Sequence, residues 1–106
     1  MSDKVSTEEI QAVARELQLI RGQMQSVSSQ VSELTITLEA LESQDPVKPV
    51  YRSFGNILLE VEDRKSLMEE LSGSKNTLEE HLTRLVEREE SLRGQYENLA
   101  NEYEKE

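Results

Sequence analysis

Residues 50–61 read VYRSFGNILLEV, and this stretch decides the fold. Two runs rich in β-branched and aromatic residues flank Gly55-Asn56, a dipeptide that suits a two-residue turn with a positive φ at its first position. Such a turn places Phe54 opposite Ile57, so the stretch predicts a β-hairpin. The same register also pairs Arg52 with Leu59 and Val50 with Val61.

A hairpin of two strands is marginally stable in water when isolated, and both of its edges are open. The rest of the sequence offers no further strands, so we expect other chains to supply them. Hairpins from several chains can join edge to edge and bury an apolar face inside a shared sheet or barrel. The residues that we expect to form this oligomerisation hairpin are Val50, Tyr51, Phe54, Gly55, Asn56, Ile57, Leu59 and Val61.

Both prolines of the chain, Pro46 and Pro49, lie in the same middle segment as the hairpin. Each flanking segment is therefore free to form one long uninterrupted helix. We divide the single domain, residues 1–106, into an N-terminal coiled-coil helix at 7–43, an oligomerisation segment at 44–63 and a C-terminal coiled-coil helix at 64–106.

The N-terminal helix carries a heptad repeat without a break. Its apolar residues are spaced alternately by three and four positions over five heptads, which is typical of a coiled-coil seam. Ser6 and Glu9 match a capping box at the start of this helix. The a positions are Ile10, Leu17, Met24, Val31 and Leu38, and the d positions are Val13, Ile20, Val27, Leu34 and Leu41.

The C-terminal helix repeats the pattern less cleanly. Leucine occupies every d position from Leu71 to Leu99, but the charged residues Lys75 and Glu89 interrupt the a positions, which begin at Met68. Asp63 or Ser66 can cap the start of this helix.

The two helices match in length, so we expect them to fold back on each other as an antiparallel coiled coil. Pairing Leu38 with Leu71 sets a register in which every layer joins an a residue to a d residue. In that register Ile20 lies opposite Glu89. A register slipped by seven residues would also pair a residues with d residues, so the heptads alone allow both. The predicted fold class is therefore mainly α, with two long helices forming an antiparallel coiled coil joined by a β-hairpin that oligomerises.

Composition excludes several functions. The net charge of -10 opposes binding to a phosphate backbone, so we expect no nucleic-acid partner. A chain without cysteine and with one histidine offers no metal site, no catalytic residues and no cofactor site, so we expect no enzyme activity. Long apolar runs and a secretory signal are both absent, which predicts a cytoplasmic protein that does not enter membranes.

The evenly spaced leucines also match the zipper of a transcription factor. Such a zipper follows a dense run of lysine and arginine that contacts DNA phosphates. Residues 60–65, EVEDRK, are mixed in charge with a negative sum, which argues against DNA binding.

The order of helix, hairpin and leucine-heptad helix resembles the β-type subunits of prefoldin, particularly the archaeal ones. The most specific part of the resemblance is Tyr51 through Leu59 with Gly55-Asn56 at the turn. The resemblance covers nearly the whole chain, and a single hairpin matches the β type, since α-type subunits have two hairpins and a longer chain.

The resemblance implies a hexamer of two α-type and four β-type subunits, with coiled coils extending from a base built of hairpins. It further implies an ATP-independent chaperone that holds unfolded proteins at the coiled-coil tips and passes them to a group II chaperonin. The partners implied are the α-type subunit, unfolded client proteins and that chaperonin.

The resemblance places client contacts at the free ends of the coiled coil. Each apolar residue there also fits a purely structural role, because these residues fall on or near the seam. An alternative function is a coiled-coil scaffold or tether that assembles through its hairpin without chaperone activity. The candidate client contacts are Val5, Ile10, Val13, Leu17, Leu92, Tyr96, Leu99 and Tyr103.

Overall fold

The structure is a computed structural model, and it describes residues 6–105. It forms a rod of 73 × 25 × 18 Å. Along the chain, helix α1 spans Thr7–Ser43, strand β1 spans Tyr51–Phe54, strand β2 spans Ile57–Glu60 and helix α2 spans Arg64–Lys105. The two helices pack against each other, and the two strands pair at one end of the rod.

Helix α1 begins and ends where its local chemistry requires. The Ser6 side chain accepts a hydrogen bond from the Glu9 N–H at 3.1 Å, which satisfies one of the free donors of the first turn. At the other end Gln44 adopts an extended conformation, two residues before Pro46, which lacks the N–H that a continuing helix would need. The Asp45 carboxylate then accepts a hydrogen bond from the Val47 N–H at 3.0 Å and tightens the turn that leaves the helix.

Helix α2 is capped by Asp63, one of the two residues that the sequence offers for this role. Its carboxylate accepts hydrogen bonds from the Ser66 N–H at 3.0 Å and from the Ser66 hydroxyl at 2.9 Å. These bonds stabilise the ionised carboxylate, so the pKa of Asp63 is lower than its usual value, with the Ser66 N–H as the largest cause. Ser66 therefore acts as the donor inside the first turn.

The helices bury a continuous apolar seam. Every predicted a and d residue of α1 is buried or half-buried, as the heptad repeat predicts. At the hairpin end of α2, Leu67 is buried beside the predicted seam residue Met68, which is half-buried like most of the seam. The most deeply buried apolar residues are Leu17, Val27, Leu38, Leu41, Leu67, Leu85 and Leu92.

An ion pair between the helices fits the predicted register. Arg21 and Glu89 are 3.0 Å apart, and Arg21 is adjacent to Ile20, the residue predicted to lie opposite Glu89. A slip of seven residues would move these two side chains apart by about 10 Å along the helix axis. The pairing of Leu38 with Leu71 therefore agrees with this contact, and a register slipped by seven residues does not.

The strands pair antiparallel in the register that the turn predicts. Phe54 lies opposite Ile57 and Arg52 opposite Leu59. Beyond the strands, the Val61 N–H donates to the Val50 carbonyl at 2.7 Å, which continues the ladder. The turn has Gly55 at φ 59°, so the positive φ falls on the first turn position as expected.

Candidate functional site

The hairpin presents apolar side chains that the chain itself leaves uncovered. All eight strand residues are exposed, and they include Phe54 at 53% and Leu58 at 67% exposure. Apolar residues gathered on one exposed patch mark sites of association with other molecules. The exposed apolar residues of the strands are Tyr51, Phe54, Ile57, Leu58 and Leu59.

The free edges of the hairpin add main-chain bonding capacity to this patch. The described residues form one sheet of two strands, so β1 and β2 each have one edge without a strand partner. Unpaired N–H and C=O groups on such edges bind added strands from other chains. The apolar side chains and open edges together make the hairpin the candidate assembly site of the chain.

Arg64 ties the loop that precedes the hairpin to the coiled coil. From the first turn of α2 its guanidinium donates to the carbonyls of Gln44, Asp45 and Lys48, at 3.4, 3.3 and 2.7 Å. Gln44 and Asp45 directly follow α1, and Lys48 lies in the loop before β1. The side chain of Arg64, the first residue of α2, therefore links the start of α2 to the end of α1 and to this loop.

A second arginine joins the hairpin to α2. The Arg52 guanidinium donates to the Glu70 carboxylate at 3.0 Å, and it also lies 5.7 Å from the centre of the Phe54 ring. Both charged side chains are about half exposed, so this ion pair orients the strand more than it stabilises the chain.

Sequence reasoning missed three features of this site. Leu58 is exposed on the opposite face from Phe54, and the predicted hairpin residues included Tyr51 of that face but not Leu58. Arg64 and Arg52 carry no local pattern, because their partners lie 16 to 20 residues away in the chain. A signal was available for Leu58, since it continues the apolar run Ile57-Leu58-Leu59.

The predicted client-contact residues lie at the opposite end of the rod, within or beside the seam. Leu17 and Leu92 are buried there, and Leu92, at 1% exposure, is the most buried large side chain described. Tyr103 is 47% exposed near the end of α2. The half-buried members of the set are Ile10, Val13, Tyr96 and Leu99, and Val5 lies outside the described residues.

Charged residues flank this distal seam. Glu89 is buried in it, with Arg21 at 3.0 Å across the seam and Arg93 at 4.0 Å on its own helix. A second bridge joins Arg88 to Glu16 at 2.7 Å on the surface. Both ion pairs between the two helices in the described structure therefore lie in the half of the coiled coil away from the hairpin.

Over residues 6–105, no three acidic or histidine side chains come together in a way that could hold a metal ion. No described helix combines the length and the apolar character needed to cross a bilayer.

A sequence profile described as "Prefoldin subunit" matches residues 6–106. The chain belongs to the prefoldin family. Two curated relatives named prefoldin subunit beta are 30% identical over 89 residues in Thermoplasma volcanium, and 29% identical over 91 residues in Thermoplasma acidophilum. These matches cover 84% and 86% of this chain, and 72% and 73% of the relatives.

A third relative named prefoldin subunit beta, from Archaeoglobus fulgidus, is 30% identical, with 83% of this chain and 81% of the relative covered. The fold matches the crystal structure of the prefoldin beta subunit from Thermococcus strain KS-1, with a TM-score of 0.81 and 21% identity. That match covers 98% of this chain and 96% of the other. The resemblance to archaeal β-type prefoldin subunits and the predicted fold class are both confirmed.

Proposed function

We propose that this chain is a β-type subunit of a hexameric, ATP-independent chaperone. Four copies assemble with two α-type subunits through the hairpin, hold unfolded proteins at the free ends of the coiled coils and pass them to a group II chaperonin. The complex works in the cytoplasm and catalyses no reaction. The observation that carries the proposal is the separation of an exposed apolar hairpin from a coiled coil that is closed within one chain.

The hairpin supports the assembly step. Its apolar side chains are exposed on both faces, and burial of each large one in an interface would contribute about 1.5 to 3 kcal/mol. The seam of the helices contributes little exposed apolar surface, because each helix covers the other, and the large apolar residues that α1 exposes, Leu19 and Ile36, lie outside it. Assembly through the hairpin therefore leaves the rods projecting outward.

The distal seam supports the client-holding step. We name residues 7–20 of α1 and 89–105 of α2 the tip segment. Its apolar side chains are the candidate contacts for exposed apolar stretches of an unfolded protein, and Tyr103 is accessible in the closed coiled coil. The remaining contacts become available when the end of the coiled coil opens locally, as terminal structure does most readily.

Acidic residues support the transfer step. Glu8 and Glu9 lie in the first turn of α1, and Glu97, Glu102 and Glu104 lie near the end of α2. A basic surface on a chaperonin would attract this end of the rod, with binding that weakens as salt rises.

The native mass of the complex tests the assembly. We expect tagged full-length chain from its source cytosol to purify as six chains, four of them copies of this chain and two of them copies of a larger partner. Leu59→Asp places a charge in the exposed hairpin and should prevent assembly while the helical circular dichroism is retained. Val47→Asp, at an exposed position in the loop before β1, is the matched control and should leave the mass unchanged.

Client breadth tests the holding activity and separates it from a scaffold role. The assembled complex should suppress the aggregation of several unrelated denatured proteins without ATP. A complex that binds one folded partner and leaves aggregation unchanged would instead establish the scaffold or tether, for which the closed seam at Leu17 and Leu92 is the favouring observation.

A further inference from the structure

One buried charge stands out in the molecule. Glu89 is 9% exposed and is the one buried polar or charged residue in the described part of the chain. It occupies an a position of the heptad repeat that the predicted register pairs with Ile20, and Lys75 is the other a position of α2 that carries a charge. A buried carboxylate needs compensating partners, because removing it from water is costly.

Two arginines compensate this carboxylate. Arg21 donates to Glu89 through Nε at 3.1 Å and approaches through a terminal nitrogen at 3.0 Å, and Arg93 lies 4.0 Å away from the other carboxylate oxygen. We name Glu89 and Arg21 the clasp. Its strength is limited, because the side chains of Arg21 and Arg93 are about half exposed and are screened by solvent.

An apolar residue at this position would hold the helices together better. Replacing a buried ion pair by well-packed apolar side chains is often stabilising. A leucine at position 89 would continue the seam between Leu85 and Leu92, and Arg21 would return to water. The clasp therefore leaves the seam weaker at this layer than a leucine would.

The seam beyond the clasp is short. After the buried pair Leu17 and Leu92, the layers nearest the described chain ends contain only half-buried residues, Val13 with Tyr96 and Ile10 with Leu99. Next to that layer, a solvent-open groove of about 450 Å³ extends past Arg93 and Tyr96. The pieces of helix beyond the clasp are close to the length at which an isolated helix is marginal.

We propose that the clasp determines how much of the seam a client can reach, by allowing the tip segment to open as a unit at Glu89. The inference rests on the proposed function and adds the residue that controls it. Opening at this layer uncovers Leu17 and Leu92 together, and the apolar layers on the hairpin side stay closed. Glu89 is thus a positioning residue: it does not contact the client itself but controls the exposure of Leu17 and Leu92.

Hydrogen exchange on the assembled complex tests the opening itself. Glu89→Leu should slow amide exchange in the tip segment by at least about fivefold and leave exchange near Leu38 unchanged. Arg21→Gln removes the partner in the opposite helix and should speed exchange in the same segment. Equal slowing along the whole rod, or none, would overturn the clasp as the boundary of opening.

Lys75→Leu is the matched control. Lys75 is the other charged seam residue, is half-buried, and lies on the hairpin side of the clasp opposite Leu34. This variant should stabilise the coiled coil as Glu89→Leu does, but exchange in the tip segment should stay at the wild-type rate.

Suppression of aggregation then connects opening to holding. If clients bind the open form, Glu89→Leu should raise the concentration of complex needed for half suppression by about the factor that it slows exchange. Lys75→Leu should leave that concentration unchanged. Slowed exchange with unchanged suppression would overturn the role of the clasp in client holding. A wild-type complex that suppresses no aggregation would overturn the proposed function. In that case the exchange data would still decide whether the clasp limits opening.

Discussion

The coiled coil and the hairpin contain the same kinds of apolar residue, but the chain buries those of the coiled coil and exposes those of the hairpin. In the coiled coil, leucines such as Leu92 are buried against the other helix of the same chain. In the hairpin, Leu58 is exposed although its strand, β2, is hydrogen-bonded to β1 along one edge. The comparison teaches that the side chains that stabilise the single chain and those that it leaves free for contacts with other molecules lie in different regions, so that each set can be altered alone.

The largest expected effect is the loss of stability when a leucine of the coiled coil is truncated, compared with truncation of a leucine in the hairpin. Leu92→Ala should lower the free energy of unfolding by about 2 to 5 kcal/mol, because it removes a fully buried side chain and leaves a cavity. Leu58→Ala should change it by no more than about 0.5 kcal/mol, because that side chain is exposed. Urea unfolding followed by circular dichroism, at concentrations where the chain is a monomer, measures both. Similar losses in the two variants would break the comparison.

The turn of the hairpin provides the next effect. Gly55 has a φ of 59°, a conformation that costs an alanine about 1 to 2 kcal/mol. Gly55→Ala should therefore raise the dissociation constant of the assembly by about 5- to 30-fold, with the helical signal unchanged. Sedimentation across a dilution series measures this constant.

Asn56→Ala is the control for the turn. No residue other than glycine has a positive φ in the described chain, so alanine fits the conformation at position 56. An equal loss of assembly in both variants would contradict the assignment of the effect to the positive φ of Gly55.

Replacing a glycine of the coiled coil by alanine should stabilise the chain, whereas the same change at Gly55 weakens assembly. Gly73 lies on the outer face of α2, and a Cβ built on it meets no atom within 4 Å. Gly73→Ala should raise the free energy of unfolding by about 0.5 to 1 kcal/mol, because alanine loses less backbone entropy in a helix. Thermal unfolding should show a higher Tm with the native mass unchanged, and a lower Tm would contradict an open outer face.

The smallest effect is a dependence on pH at the junction between the two regions. The folded chain lowers the pKa of Asp63, so its stabilising contribution is complete above the ordinary value of 3.8 and is lost as pH falls through the folded value. Asp63→Asn can cap the helix without titrating. Below pH 3.8 the wild type should lose stability relative to this variant, and parallel curves would contradict the role of the ionised cap.

Much of this architecture could be predicted because its determinants are local. The heptads of α1 and the turn at Gly55 act over a few neighbouring residues, and they predicted the seam and the strand register. The heptads did not predict the burial of Leu67, which lies beside Met68 where α2 has only just begun. A helix end beside a loop is not bound by the supercoil that fixes the phase farther along.

The site was less predictable because its contacts join distant parts of the chain. A charge at position 89 was visible as an interruption of the seam, but its partner Arg21 follows only from the three-dimensional register. The carbonyl partners of Arg64 likewise depend on the path of a loop. Whether Leu17 contacts clients stays a prediction, because the closed seam and the open tip use the same side chain.

The three carbonyl contacts of Arg64 have a geometric consequence. They tie the loop that leads into the hairpin to the start of α2, at one end of a rod 73 Å long. In any ring built from these hairpins, a small rotation at this junction would become a large displacement at the far end of the rod. The spacing between neighbouring rod ends, and so the size of object that fits among them, would then depend on one guanidinium.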